Sequence, residues 1–171
     1  MRKLNQIMLL IMTVSLVTFT SCSSDDDNGG ATGNEFLTAN VAGTNFVAAQ
    51  SPSVIVGAQS TNGVLAVQGG NNNGTTINIT LPNYTGVGTY VTGDNLSNQN
   101  GIMYLELNGT TPTSWASNFA TAAVGTLMAG TIEITSDNGT TVEGTFSFDG
   151  YNAADMTTKV VTNGEFKALF D

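Results

Sequence analysis

From Asn34 to the C-terminus the chain alternates apolar and polar residues with a period of two and interrupts that alternation at Asn-Gly pairs. Successive side chains of a strand point to opposite faces, so a period of two gives one apolar and one wet face, the pattern of antiparallel sheets. Ile77, Ile79 and Leu81 share one face, with Thr76, Asn78 and Thr80 opposite. Ile132 and Ile134, then Val142, Phe146 and Phe148 with Gly144, then Phe166, Ala168 and Phe170 repeat the arrangement. The same reading turns Met103, Leu105 and Leu107 inward and leaves Tyr104 and Glu106 outside. Asn62-Gly63, Asn73-Gly74, Asn108-Gly109, Asn138-Gly139 and Asn163-Gly164 supply residues that tolerate the positive φ of two-residue hairpin turns. Two hairpins are expected from them: Thr131–Thr135 with Val142–Phe148, and Lys159–Val161 with Glu165–Phe170 through Asn163-Gly164. The expected fold is one all-β domain over 34–171, an antiparallel β-sandwich or flattened β-barrel of roughly ten short strands. Residues 108–128, with Trp115 and Phe119 four apart in an Ala-rich stretch, fit either a short helix or a strand and a long loop.

Only 10% of the residues are charged, and Asn, Thr, Ser and Gly carry the polarity. The formal net charge is −9, and two of the four basic residues, Arg2 and Lys3, stand at the extreme N-terminus. A surface holding only Lys159 and Lys167 lacks the basic cluster that neutralises phosphates, so nucleic acid is not an expected partner. With no histidine, Ser-His-Asp and Cys-His catalysis and His-bearing zinc sites are excluded. The single cysteine cannot form an internal disulfide.

That cysteine is Cys22, and what precedes it has the layout of a secretory signal peptide: basic Arg2-Lys3, apolar Ile7–Phe19, then small polar residues. Phe19-Thr20-Ser21-Cys22 resembles the lipobox of bacterial lipoproteins, with Phe19 and Ser21 departing from its common Leu and Gly or Ala. The resemblance implies cleavage after residue 21 and diacylglycerol on the Cys22 thiol, an anchor of several acyl chains. Residues 22–33 then form a flexible acidic tether. Its Ser23-Ser24-Asp25-Asp26-Asp27 run resembles the export signal of surface-exposed Bacteroidetes lipoproteins. By that resemblance the partners are the outer membrane, through the lipid, and the lipoprotein export machinery. Surface display is the expectation, and periplasm-facing attachment the alternative.

Gly43 and Phe46, Gly88-Thr89-Tyr90, and the closing Gly144-Thr145-Phe146-Ser147-Phe148 and Val161-Thr162-Asn163-Gly164-Glu165-Phe166 are similar to an uncharacterised family of Bacteroidetes outer-membrane lipoproteins. The resemblance brings no catalytic residues with it.

Chemistry-bearing constellations are sparse. Glu106, Glu133, Glu143 and Glu165 are expected to point outward as solvated acids, whereas a glycosidase would need two of them converging. Asn71-Asn72-Asn73-Gly74 and Ser136-Asp137-Asn138-Gly139 offer oxygen ligands but too few carboxylates for a calcium loop, and turn chemistry accounts for both. No catalytic residue, metal site or cofactor is expected. The role expected is non-catalytic, a binding or structural module of the cell envelope whose partner is a glycan or an envelope protein. For a glycan the contact residues would be Trp115, Tyr104, Thr113 and Asn118, where a flat aromatic meets amides and hydroxyls; the competing place for Trp115 is the core.

Overall fold

The computed structural model describes residues 34–49, 56–118 and 124–171, so Cys22, Ser23, Ser24, Asp25, Asp26, Asp27 and Phe119 lie outside the described residues. The described residues form eleven strands and no helix. They are β1 (Phe36–Val41), β2 (Thr44–Val47), β3 (Gly57–Thr61), β4 (Val64–Gly70), β5 (Thr75–Leu81), β6 (Gly88–Thr92), β7 (Gly101–Asn108), β8 (Thr111–Ala116), β9 (Gly130–Asp137), β10 (Thr141–Asn152) and β11 (Thr157–Phe170). All belong to one sheet in the order β2-β1-β11-β3-β4-β5-β7-β8-β10-β9-β6, and β10 also pairs with β11. Following neighbours from β11 through β3, β4, β5, β7, β8 and β10 therefore leads back to β11. Two joints in this circuit are thin: the single pair Tyr151 with Ala116, and the parallel pairs Leu169 with Gly57 and Phe170 with Ala58. The all-β expectation holds, and the sheet is mixed rather than wholly antiparallel.

One hydrophobic cluster fills the interior, from Leu37 and Phe46 through Ile77, Ile79, Ile132 and Ile134 to Phe146, Phe148 and Phe166. Local chemistry sets the strand ends. Asn62 and Gly63, at φ of 54° and 77°, make the expected two-residue turn between β3 and β4. In the β9–β10 loop the Asn138 side-chain oxygen accepts from the backbone N–H groups of Thr140 and Thr141 at 2.9 and 2.8 Å. At the edge of the sheet, the amides of Asn98 and Asn100 both donate to the Val91 carbonyl of β6 at 2.7 and 3.0 Å. Those bonds occupy an edge acceptor that another chain could otherwise pair with.

Two expectations change and one open alternative is decided. Asn163-Gly164 is not a hairpin turn, because β11 runs straight through it. The pairing with β10 passes from Phe148 opposite Val161 to Phe146 opposite Gly164, a bulge with Asn163 at φ 51°. An asparagine that tolerates the left-handed region serves a bulge as well as a turn. The turn between β10 and β11 falls at residues 153–156, with Met156 at φ 59°. Strand β7 has the opposite phase from that expected: Ile102 and Tyr104 are buried, Met103 and Leu105 are half-buried and Leu107 is exposed. Its partner decides this, since the inward Ile77 and Ile79 of β5 sit opposite Tyr104 and Ile102, and a register fixed on one strand fixes the face of the next. Residues 111–116 of the ambiguous segment are the strand β8.

Candidate functional site

The inner face of β5, β7 and β8 changes character row by row. Ile79 and Ile102 face each other with Ser117 beside them, then Ile77, Tyr104 and Trp115 form a row, then Thr75, Glu106 and Thr113. Three rows thus run from aliphatic through aromatic to polar, all pointing inward because the period is two.

Lys159 of β11 crosses to this polar end and forms an ion pair with Glu106. The Tyr104 hydroxyl donates to the same carboxylate oxygen, Oε1, at 2.8 Å. The Lys159 ammonium lies 4.3 Å from the centre of the Trp115 ring and 5.2 Å from that of Tyr104, within cation–π range of both. Phe46 of β2 meets the Tyr104 ring edge-on, with centroids 6.4 Å apart. The Trp115 indole N–H donates to Thr157 Oγ1 at 2.9 Å, and that hydroxyl donates to Asp155 at 2.6 Å. Every polar handle of the aromatic row is therefore engaged.

The electrostatics follow from burial and pairing. Burial pushes the Tyr104 phenol well above its ordinary range and the bond to Glu106 adds to this, so it stays a neutral donor. Burial acts to raise the Glu106 carboxyl, but the hydrogen bonds from Lys159 and Tyr104 outweigh it and hold the group below its usual range. Glu106 is an ionised acceptor at neutral pH.

A cleft of about 270 Å³ opens at this end. Its lining joins apolar Val41, Ala42, Phe46 and Tyr104 to polar Thr44, Asn45, Asn71, Asn73 and Thr75, together with Glu106 and Lys159. The Asn71 side-chain oxygen accepts from the backbone N–H groups of Asn73 and Thr75 at 2.9 and 3.2 Å, which shapes the β4–β5 loop that forms part of the wall. Thr75 Oγ1 is buried and has no hydrogen-bond partner among the described residues.

Of the four residues expected to contact a glycan, the structure brings three to this end of the inner face. Trp115 and Tyr104 are each 6% exposed, and Thr113 stands beside Glu106. Asn118 lies elsewhere, packed over Gly101 and bonded to the Asn100 carbonyl at 3.3 Å. Trp115 offers no open ring, since burial and the ammonium leave it no face for a sugar. Glu106 is not the outward acid expected of it, a consequence of the reversed phase of β7. Glu143 pairs with Lys167, while Glu133 and Glu165 flank Thr145 on the outer face, beside an open trough of about 580 Å³. In the turns considered for calcium, Asn71, Asp137 and Asn138 bond backbone N–H groups; Asp137 also accepts from the Tyr84 hydroxyl at 2.6 Å. Sequence reasoning missed Lys159, Phe46, Thr75, Asn45, Asn71 and Asn73 as cleft residues. A signal existed for the first: Lys159 stands two before the buried Val161, at an inward position where an apolar residue is expected.

Comparison with known proteins gives a family and no function. No curated protein and no solved structure matches the chain. A family model described as a domain of unknown function, DUF6252, matches residues 31–169, which takes in all eleven strands except the last residue of β11. The chain belongs to the DUF6252 family.

Proposed function

We propose that the protein is a lipid-anchored, outward-facing, non-catalytic binding module of the bacterial outer membrane, held at Cys22 and exported by its Ser23–Asp27 run. The cleft is its binding site. The observation that carries this reading is an ion pair that opens, with hydroxyl and amide side chains beside it, into a cleft at one end of an interior packed mainly with aliphatic and aromatic side chains. Partly burying an ion pair gains little over an apolar pair of the same shape, so stability alone does not account for Glu106 and Lys159. The placement suits display. Strand β1 starts beside the tether, and its far end at Val41 lines the cleft. Six residues of strand carry that opening roughly 20 Å from the attachment side. Among the described residues the cleft lining holds one carboxylate, Glu106, and a lysine neutralises it, which suits a donor and acceptor platform better than acid–base work.

The single cysteine makes the test direct. Asn45 is exposed at the rim, and Asn45→Cys introduces a thiol into a chain whose native cysteine carries lipid on this reading. A membrane-impermeant maleimide should label Asn45→Cys on intact cells and leave the parent unlabelled, while Cys22→Ser should lose fatty-acid incorporation. Labelling only after lysis would overturn outward display, and equal fatty-acid incorporation in Cys22→Ser would overturn the anchor.

A further inference from the structure

We infer that the cleft takes a neutral, polyhydroxylated ring, in size one sugar residue, held by hydrogen bonds to the Glu106–Lys159 pair and the asparagine rim rather than by stacking on Trp115. The inference rests on the cleft being the binding site and adds the ligand class. Charge is the first argument. Glu106 and Lys159 neutralise each other, so an incoming anion would have to take Lys159 from Glu106, and an incoming cation the reverse. Either exchange strands a partly buried charge.

Hydrogen-bond capacity is the second. Tyr104 and Lys159 both converge on Oε1 of Glu106, and Oε2 takes neither bond. A carboxylate can accept about four bonds and an ammonium can donate three. Beside them in the lining stand the hydroxyl-bearing Thr44 and the amides of Asn45 and Asn73, all three at exposed positions. Ionised acceptor, ionised donor, hydroxyl and amide in one small space call for groups that donate and accept at once, and adjacent alcohols do so without charge. Val41 and Phe46 supply apolar lining for the C–H side of such a ring. At about 270 Å³ the cleft falls just below the usual range of about 300–1,000 Å³ for small-molecule sites, which limits the occupant to one ring.

Trp115 is the only tryptophan and sits against Lys159, so it reports on the cleft. Two panels would be titrated at millimolar concentration into the purified lipoprotein in detergent: neutral methyl hexosides and N-acetylhexosaminides, and charged amino acids, amines and carboxylates. Tryptophan emission, melting temperature and calorimetric heat would be followed together. The expected result is a saturable response to a neutral glycoside. Binding should fall by about tenfold or more in Glu106→Leu/Lys159→Met, and severalfold in Asn45→Ala, whose exposed side chain is not needed for folding. The apolar double variant should stay folded, losing in melting temperature no more than the single Tyr104 hydroxyl bond contributes. Saturation by charged compounds alone would overturn the ligand class and leave the binding module standing. Silence from both panels in all three measurements would overturn both. A glycoside response that survives in the double variant and in Asn45→Ala would move the site elsewhere, the outer trough beside Glu133 and Glu165 being the place to look.

Discussion

The two ends of the interior share β11 and differ in kind. At one end Phe146 and Phe166 lie with ring centres 6.4 Å apart, among Ile132, Ile134, Val142 and Ala168. At the other, Tyr104 and Trp115 are just as buried, yet each spends its polar atom on a bond and shares an ammonium with its neighbour. The first end holds the sheet together by area removed from water, and a methylene lost there is felt. The second is held by directional bonds whose net contribution to stability is small, about 1 kcal/mol each. The lesson is a division of labour along single strands. β7 and β11 each contribute to the dry core and, a few residues away, to the cleft.

The largest effect should come from the dry end. Phe166 is 1% exposed, and Phe166→Ala should cost about 3–5 kcal/mol. Urea unfolding of parent and variant measures it, and a loss under about 1 kcal/mol would mean that this end is not the closely packed core its burial implies. Next in size is Gly164→Ala. A Cβ at position 164 would lie 2.5 Å from the Phe146 ring, which cannot move within a packed core. A cost of about 1–3 kcal/mol is expected. Were Asn163-Gly164 an exposed hairpin turn instead of a bulge, that clash would not exist, so a change near zero would restore the hairpin.

That bulge shows how far the sequence was legible. The period of two in β5, β9, β10 and β11 placed Ile77, Ile79, Ile132, Ile134, Phe146 and Phe166 inside, and all six are buried. Alternation within one strand is local information, and burial on one face enforces it. Phase in β7 was not local. Met103, Leu105 and Leu107 outweigh Ile102, Tyr104 and Glu106 in hydrophobicity, and only the ladder to β5 selects the second set. The candidate site suffered most from this, because reversing β7 sends Glu106 inward. Lys159 reaches it from a strand 53 positions along the chain, a separation at which one sequence carries no pairing signal. Turn chemistry was legible in kind and ambiguous in use. Asn-Gly marked a positive φ at both Asn62 and Asn163, and strand pairing decided which was a turn.

The smallest effect is the most informative about the wet end, and it is a dependence on pH. Glu106 is held below the ordinary carboxylate range in the folded protein, although burial works against this, because Lys159 and Tyr104 bond its ionised form. A depressed folded pKa stabilises the fold above the unfolded value of about 4.3 and loses that stabilisation as pH falls through the lower folded value. Glu106→Gln keeps the size and an oxygen for the Tyr104 hydroxyl but removes the titration. At neutral pH the parent should therefore be the more stable of the two, and acidification below about pH 4 should narrow the gap. Both partners are about a quarter exposed, with side-chain exposures of 22% and 26%, so the neutral-pH difference should stay near 1 kcal/mol. The Lys167–Glu143 pair on the outer face, exposed by 32% and 39%, sets the comparison, and Glu143→Gln should change the neutral melting temperature less. Melting curves of the two variants at neutral pH, and of Glu106→Gln and the parent through the acid range, measure all of this. A gap between Glu106→Gln and the parent that stays constant as the pH falls would show that Glu106 is not bonded as a carboxylate. The polar end would then owe its order to the aromatic row alone.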